Sequence, residues 1–253
     1  MQHWPNKGNQ HSGGFCVSEF PLLASIDMIY IINLVFRADR RAEMTEQLAR
    51  VGLSFDHPKV QLFTASRPDD PGEFPNIGSR GCFQSHLGIL KDALARGFDT
   101  ILVLEDDADF TNRFCKSTAQ EALTIQSEPW DMFYFGTIYG PEETEAFFAP
   151  VSPEAPLKLT HATMLRKSAI TRMVPYLETM LSRKLGDPAG GPMHLDGAYS
   201  WFRRENPDIT TMATTGQWII QRSSKTDIHD TGWKERLPLI GWARRLKNSL
   251  TRH

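Results

Sequence analysis

The stretch Thr100-Ile-Leu-Val-Leu-Glu105-Asp106-Asp107 decides the fold of this chain. An apolar, β-prone run ends there in three consecutive carboxylates. Burying unpaired carboxylates is unfavourable, and their mutual repulsion adds to the cost. A divalent cation with a phosphate-bearing ligand would relieve that repulsion, because Mg²⁺ and Mn²⁺ are commonly held by one or two carboxylates together with substrate phosphates. The alternative is a solvated acidic turn after an edge strand.

Strands and helices alternate around this stretch. Apolar runs predict strands at residues 28–34, 60–65, 100–104 and 130–135, and amphipathic runs predict helices at 43–51 and 83–96. This order predicts an α/β fold in which helices flank a mostly parallel central sheet. Ligands bind beyond the carboxyl ends of the strands in such sheets, which is where the acidic triplet falls.

The second half of the chain has a looser pattern. Residues 141–156 and 183–192 are rich in Pro with Glu or Gly and are predicted to be loops. Further strands are predicted at 157–165 and 217–221, and further helices at 167–181 and 195–203. Pro175 lies near the middle of the first of these helices and predicts a kink or a break there.

Bulk composition excludes some classes of function. The chain has 253 residues and a formal net charge of −2, so its charge gives no argument for nucleic-acid binding. Cys16, Cys82 and Cys115 form no CxxC pair, which favours a reduced, cytoplasmic setting and argues against a zinc site. No segment reaches the roughly 18 apolar residues that a membrane-spanning helix needs.

The two ends differ in composition from the middle of the chain. Residues 1–25 are interpreted as a disordered leader, and residues 26–230 as a single domain. Residues 231–253 are basic and amphipathic, with apolar residues on one side of a helical wheel and arginines opposite. This pattern is typical of a helix that binds an anionic membrane surface, here the inner face of the cell membrane. The alternative is a terminal helix packed on the domain.

Several motifs occur together in order. They are Ile-Tyr30-Ile-Ile-Asn33-Leu, Asp39-Arg40-Arg41, Gly81-Cys82-Phe-Gln-Ser85-His86-Leu, Glu105-Asp106-Asp107, Trp130-Asp131 with Phe135-Gly136, and His161-Ala-Thr163. Over residues 28–230 this set resembles glycosyltransferase family 25, which includes lipopolysaccharide and lipooligosaccharide sugar transferases and collagen galactosyltransferases. The chain departs from the family pattern at Ser79, where the family usually has Glu, and at Thr163-Met164, where an aromatic residue is frequent.

The resemblance implies a GT-A type nucleotide-sugar-binding fold and transfer of a hexose, often galactose, from a uridine-diphosphate donor to a glycan hydroxyl. It also implies a divalent metal, Mn²⁺ or Mg²⁺, at the acidic motif. Asp107 is the preferred direct ligand, because the last carboxylate of the triplet reaches farthest into the cleft. Asp106 is expected to bind the ribose, to bind the metal through water, or to contact neither, and Glu105 is expected to point toward the ribose or the core.

The remaining candidate residues surround this motif. Arginines after the first strand can pair with phosphate, and Asn33 can contact a base or ribose edge. Ser85 and His86 lie in the first turns of a helix, where backbone amides favour anions. The predicted donor-binding set is Asn33, Arg37, Arg40, Arg41, Ser85, His86, Glu105, Asp106, Arg222 and Lys225. Structural roles remain the alternative for His86 as a helix histidine and for Asp39 as an N-cap.

Two residues late in the chain complete the hypothesis. Asp196 matches a carboxylate that the family places near the acceptor, and it would act as general base on the attacking hydroxyl. An N-cap role is the alternative. His229 is a candidate third metal ligand beside Asp107 and Asp106. The expected partners are a nucleotide-sugar donor and a glycan or lipid-linked saccharide acceptor. The expected function is hexose transfer in lipopolysaccharide or surface polysaccharide synthesis, and the alternatives are a catalytically inactive nucleotide-sugar or carbohydrate-binding module and another metal–phosphate enzyme.

Overall fold

A computed structural model describes residues 20–223 of the chain. The strands are β1 (Met28–Asn33), β2 (Val60–Thr64), β3 (Thr100–Glu105), β4 (Ala108–Phe110), β5 (Met132–Tyr134), β6 (Phe148–Pro150), β7 (Ala162–Arg166), β8 (Thr211–Thr214) and β9 (Ile219–Gln221). The helices are α1 (Ala38–Arg50), α2 (Ile77–Arg96), α3 (Asn112–Cys115), α4 (Ala119–Ser127), α5 (Lys167–Leu181) and α6 (Leu195–Glu205), after a short 3₁₀ helix (Pro21–Ser25).

Seven strands form the central sheet in the order β2-β1-β3-β7-β5-β8-β6, and β4 pairs with β9 in a separate ribbon. The strands β2, β1, β3, β5 and β8 run in one direction, and β7 and β6 run against them. Helices pack on both faces of this sheet. The predicted α/β class with a mostly parallel central sheet is therefore confirmed.

The strand β1 is buried along its whole length because both faces of the sheet are covered. Its alternate side chains enter two different cores. Ile29 and Ile31 pack in a core with Met44 and Leu48 of α1. Tyr30 and Ile32 belong to a second core, which contains residues of α2, α5 and α6. The continuous apolar run in the sequence thus reflects a central strand between two layers of helices.

The helix α2 begins at Ile77, six residues before the start predicted from its apolar face. The side chain of Asn76 accepts a hydrogen bond from the backbone amide of Ser79 (2.8 Å) and caps the helix. The first turn lacks the apolar periodicity that marks the rest, since Ile77 is exposed. This longer helix brings Gly81 against the loop after β2, where a Cβ atom would lie 2.5 Å from the carbonyl oxygen of Ser66.

Other boundaries also differ from the predicted ones. The helix α1 begins at Ala38 with Arg37 as its N-cap, so Asp39 lies in the first turn and is not the cap. Residues 141–156 were predicted as a loop, yet they contain β6. In contrast, α5 has the predicted bounds, and it continues through Pro175.

The two predicted ends of the domain are described only in part. Residues 20–25 were assigned to the leader, but Phe20, Leu22 and Leu23 are buried in the core that also contains residues of α1 and α4. These residues therefore pack with the domain. Residues 1–19 and 224–253, which include the predicted basic tail, lie outside the described residues. Within residues 20–223, no helix has the length and apolar character to cross a membrane.

Gly136 provides a test of the fold, because a Cβ atom there would lie 1.9 Å from the carbonyl oxygen of Ile219 in β9. We expect Gly136→Ala to lower the free energy of unfolding, measured in urea, by about 1–3 kcal/mol as β9 is displaced. Gly88→Ala is the matched control. A Cβ atom at Gly88 would meet only the ring edge of Phe63 at 3.1 Å, and alanine favours a helix interior by about 1 kcal/mol. Equal losses in both variants would contradict this packing.

Candidate functional site

A cavity of about 320 Å³ lies beyond the carboxyl ends of β1, β2 and β3. The parallel pairing of β1 with both neighbours places the residues that follow these strands at one edge of the sheet. Seven of the predicted site residues line the cavity: Asn33, Arg40, Ser85, His86, Glu105, Asp106 and Asp107. The predicted binding position at the carboxyl end of the sheet thus coincides with a real concavity.

Asp106 is buried, and both of its carboxylate oxygens have protein partners. Arg40 donates a hydrogen bond from Nη1 to Oδ1 (2.7 Å), and Asn33 donates from Nδ2 to Oδ2 (2.7 Å). Arg41 in turn donates to the side-chain oxygen of Asn33 (2.8 Å) and to the carbonyl of Val35 (2.6 Å). These bonds hold the turn after β1 against the acidic turn after β3, so Asp106 has a clear positioning role.

Asp107 has a different environment, although it is equally buried. Among the described residues, its Oδ1 atom has no hydrogen-bond partner. Its Oδ2 atom accepts only a long hydrogen bond from Gln221 (3.4 Å) and lies 3.6 Å from Arg40 Nη1. Burial and the nearby charge of Glu105 raise the pKa of Asp107 to about 7, although Arg40 acts in the opposite direction. This carboxylate therefore has one unpaired oxygen, in a residue that lines the cavity.

Glu105 and His86 form a contact across the cavity wall. His86 Nε2 lies 3.6 Å from Glu105 Oε1, and Thr160 donates a hydrogen bond to the same oxygen (3.1 Å). Burial raises the pKa of the Glu105 carboxyl, but the interactions with His86, His161 and Thr160 together outweigh it and leave the pKa lowered. Ser85 is occupied structurally, since its hydroxyl donates to the carbonyl of Gly81 (2.6 Å) and accepts from the backbone amide of Ser66 (2.8 Å).

Four predicted residues lie outside the cavity wall: Arg37, Arg41, Asp196 and Arg222. Asp196 is in the first turn of α6, where His194 is the N-cap, and its Oδ1 atom accepts a hydrogen bond from the amide of Gly197. The N-cap alternative for Asp196 is therefore wrong. Arg37 forms an ion pair with Asp39 at the start of α1.

Arg222 is buried, and its guanidinium contacts the carboxylates of Asp109 and Glu43. Its backbone amide donates a hydrogen bond to the carbonyl of Asp107 (2.7 Å). The residue therefore holds the backbone of the Glu105–Asp107 turn in place. The charge of its guanidinium is already compensated by two carboxylates. Lys225 and His229 lie outside the described residues.

The cavity also contains residues that were not among the predicted site residues. Cys82 lies on α2 one turn before His86 and lines the wall. Burial, and then the charges of Glu105, Asp196 and Asp107, raise the pKa of its thiol well above the usual range. Asp196 is thus close enough to act on the cavity electrostatically. The Cys-x-x-x-His spacing, which places both side chains on one helix face, was the available signal.

Phe36 and Arg67 form part of the cavity mouth and were also missed. Both are exposed, and the guanidinium carbon of Arg67 lies 4.6 Å from the centre of the Phe36 ring. Their positions in loops after β1 and β2 carry no periodic pattern. Only the pairing of those strands brings the two loops together.

The residues present fit a divalent cation at the acidic turn. An unpaired, buried carboxylate oxygen is costly, and a cation would satisfy it. Asp107 is the residue with such an oxygen, whereas Asp106 already has two partners. Carboxylate oxygens are the ligands that Mg²⁺ and Mn²⁺ prefer. The expected metal ligand of the sequence motif is therefore chemically suited to that role.

Comparison with known sequences points to one family. The sequence model described as "Glycosyltransferase family 25 (LPS biosynthesis protein)" matches residues 76–137, from the start of α2 to just beyond β5. This segment contains the Cys82–His86 helix and the acidic turn. The match confirms the resemblance to glycosyltransferase family 25 that the motifs predicted.

Individual relatives agree with this family. The mouse protein "Inactive glycosyltransferase 25 family member 3" is 30% identical over 128 residues, which are 44% of this chain and 22% of that protein. The Xenopus laevis "Procollagen galactosyltransferase 1-B" is 28% identical over 151 residues, 51% of this chain and 25% of that protein. The match thus spans about a quarter of the length of these relatives.

Solved structures show only distant likeness. A glycosyltransferase involved in the glycosylation of the major capsid of PBCV-1 aligns with a TM-score of 0.44 and 13% identity, over 79% of this chain and 94% of that one. The structure of A197 from STIV aligns with a TM-score of 0.41 and 11% identity, over 77% and 83%.

The pKa of Asp107 predicts an unusual pH dependence of stability. A folded-state pKa of about 7, above the ordinary 3.8, means that the folded protein binds the proton more tightly than the unfolded chain. The tighter proton binding adds to the free energy of unfolding. This stabilising contribution is complete below about pH 4 and is lost as the pH rises through about 7. With a chelator present at about pH 8, we expect Asp107→Asn to raise the free energy of unfolding by about 1–3 kcal/mol, and the gain should shrink towards pH 5.

Asp106→Asn is the control for this measurement. It removes the carboxylate that pairs with buried Arg40 and should lower the free energy of unfolding by about 3–5 kcal/mol. If both variants shift stability in the same direction at about pH 8, the two carboxylates do not differ in the way their contacts indicate.

Proposed function

We propose that this chain is a metal-dependent glycosyltransferase that moves a hexose, most simply galactose, from a UDP-sugar to a hydroxyl of a glycan acceptor. The observation that carries the proposal is Asp107, a buried carboxylate that has an unpaired oxygen and lines the cavity at the carboxyl edge of the sheet. Galactose is proposed because two of the similar proteins are named procollagen galactosyltransferases.

The donor would bind along the cavity wall. Asn33 and Arg40 lie beside the acidic turn, and the exposed ring of Phe36 at the mouth offers a face to a base. Asp107 would hold the divalent cation, with His229 as a further proposed ligand. A bound Mn²⁺ or Mg²⁺ would neutralise charge on the diphosphate and so favour departure of the nucleotide. Lys225, which follows Arg222, remains a proposed contact to the diphosphate.

The acceptor would enter from the side of α6. Asp196 is proposed as the general base that takes the proton of the attacking hydroxyl. It is partly buried in the first turn of α6, and its charge reaches Cys82 on the cavity wall. A single base suits an inverting displacement at the anomeric carbon. The acceptor is proposed to be a lipopolysaccharide core or a surface polysaccharide, in line with the printed description of the family.

A second candidate function is a donor-binding module without turnover. It is favoured by the names of several relatives, which include the inactive family members of mouse and human. In that case the cavity would still bind a nucleotide-sugar, but no sugar would be transferred. The two candidates differ in turnover alone, so turnover must be measured directly.

The first test uses a panel of nucleotide-sugars with Mn²⁺. We expect the wild-type protein to hydrolyse one donor slowly and to transfer its sugar when a suitable glycan is added. Asp107→Ala should lower donor turnover by about 100-fold or more, because loss of a metal ligand removes several kcal/mol of charge stabilisation. The control is Asp208→Ala, which alters an exposed ion pair with Arg172 and should leave turnover unchanged.

Two outcomes would contradict parts of the proposal. Donor binding without turnover for every donor would favour the inactive module. Turnover that survives both a chelator and Asp107→Ala would exclude the metal assignment and leave the transferase assignment intact.

The basic tail provides a separate test of the membrane hypothesis. We expect removal of residues 233–253 to weaken binding to vesicles containing anionic lipid by about 10-fold or more, since each basic residue near such a surface contributes about 1 kcal/mol. Full-length protein carrying Arg244→Glu and Arg245→Glu should lose part of this affinity, and neutral vesicles should show no difference. Unchanged binding after the deletion would exclude the tail as the membrane contact.

A further inference from the structure

Cys82, His86 and Glu105 form a compact cluster on the cavity wall. One ligand atom of each residue, a thiol sulfur, an imidazole nitrogen and a carboxylate oxygen, lies within 4.8 Å of the other two. Cys82 and His86 are four residues apart on α2 and therefore share one face of the helix. Glu105 ends β3 and meets them from the sheet. Helix and strand thus supply the three groups from rigid elements.

His86 carries the second, independent observation. Its side chain is 1% exposed, and its Nε2 atom has no hydrogen-bond partner among the described residues. Buried polar atoms are almost always satisfied, so an orphaned imidazole nitrogen calls for a ligand. The nearest carboxylate oxygen, Glu105 Oε1, lies 3.6 Å away, which is too long for a good hydrogen bond. The unpartnered nitrogen therefore lies next to a carboxylate oxygen of the cluster without bonding to it.

The other nitrogen of His86 is placed as in metal sites. Its Nδ1 atom lies 3.4 Å from the hydroxyl of Tyr199, which is buried in α6. Metal-bound histidines usually have a polar partner on the second ring nitrogen, which sets the orientation of the ring. Thr160 provides a comparable contact to Glu105. The contacts of Tyr199 with His86 and of Thr160 with Glu105 thus hold the two side chains in the orientations that a bound metal would need.

We propose that Cys82, His86 and Glu105 bind a borderline-soft divalent cation of the Zn²⁺ class. Thiolate, imidazole and carboxylate together suit Zn²⁺ better than Mg²⁺ or Mn²⁺, which prefer oxygen alone. Three protein ligands leave a fourth position, and all three residues line the cavity, so that position is open to it. Binding breaks the S–H bond of Cys82, forms a metal–sulfur bond and releases the proton to solvent.

This site differs in chemistry from the oxygen of Asp107 in the same cleft. In the sequence, the absence of a CxxC pair argued against a zinc site. The proposed site was not recognisable there, because Glu105 comes from a strand and no sequence motif joins it to Cys82 and His86 on the helix. Cation binding by Cys82, His86 and Glu105 does not depend on sugar transfer.

The test is a titration of the full-length protein with Co²⁺, which substitutes for Zn²⁺ and absorbs in the near ultraviolet when a thiolate binds it. We expect wild-type protein to develop this charge-transfer band and Cys82→Ser to lose it. Cys115→Ser and Cys16→Ser are the matched cysteine controls and should keep the band. Asp107→Asn should keep it as well, which separates the two cation positions.

Affinity provides a second measurement. In competition with a chromophoric zinc chelator, His86→Gln should lower zinc affinity by about 10-fold or more, and Tyr199→Phe by about 10–100-fold, as for other outer contacts. Circular dichroism identifies any variant that fails to fold, and Cys82→Ala then replaces Cys82→Ser. The proposal is wrong if folded Cys82→Ser or Cys82→Ala keeps the band, or if wild-type protein forms none. Neither result bears on turnover, so failure here is distinct from failure of the transferase proposal.

Discussion

The burial of three consecutive carboxylates at the end of β3 is the constraint on which the rest of the site depends. Adjacent carboxylates in a protein interior repel one another, and each needs its own means of stabilisation. Asp106 obtains two direct partners, Arg40 and Asn33. Glu105 obtains the weaker contacts of His86 and Thr160. Asp107 is left with one oxygen unpaired. The three residues therefore have three different roles, although the sequence presents them as a single motif.

The scaffold around the triplet follows from this constraint. The helix α1 supplies Arg40, the helix α2 supplies His86, and the β4–β9 ribbon covers the turn from the opposite side. Directly after β9, Arg222 neutralises Asp109 and binds the backbone of Asp107. Elements far apart in the chain thus converge on one turn. The cavity lies beside this turn, beyond the carboxyl ends of β1, β2 and β3.

Sequence patterns predict the parts of this structure that depend on local physics. The strand β3 and the helix α5 were found nearly in full, since each carries a long and regular apolar pattern. The strands β6 and β8 were missed because three or four residues show no periodicity, and their pairing joins segments about sixty residues apart. The same limit applies to the site. That Asp107 is a candidate ligand followed from its position in the motif, whereas the pairing of Asp106 with Arg40, 66 residues away, required the fold.

The unequal environments of the carboxylates also bear on activity. Asp106 would be kept in an inert scaffold, since it holds α1 and the turn after β1 in place. Asp107 has no such use, because a neutral side chain of the same shape would avoid both its desolvation and its repulsion by Glu105. Costly groups of this kind are found at sites where a ligand repays the cost. A chain that had lost its ligand would gain stability by replacing Asp107 first, so its presence favours a cleft that still binds a cation.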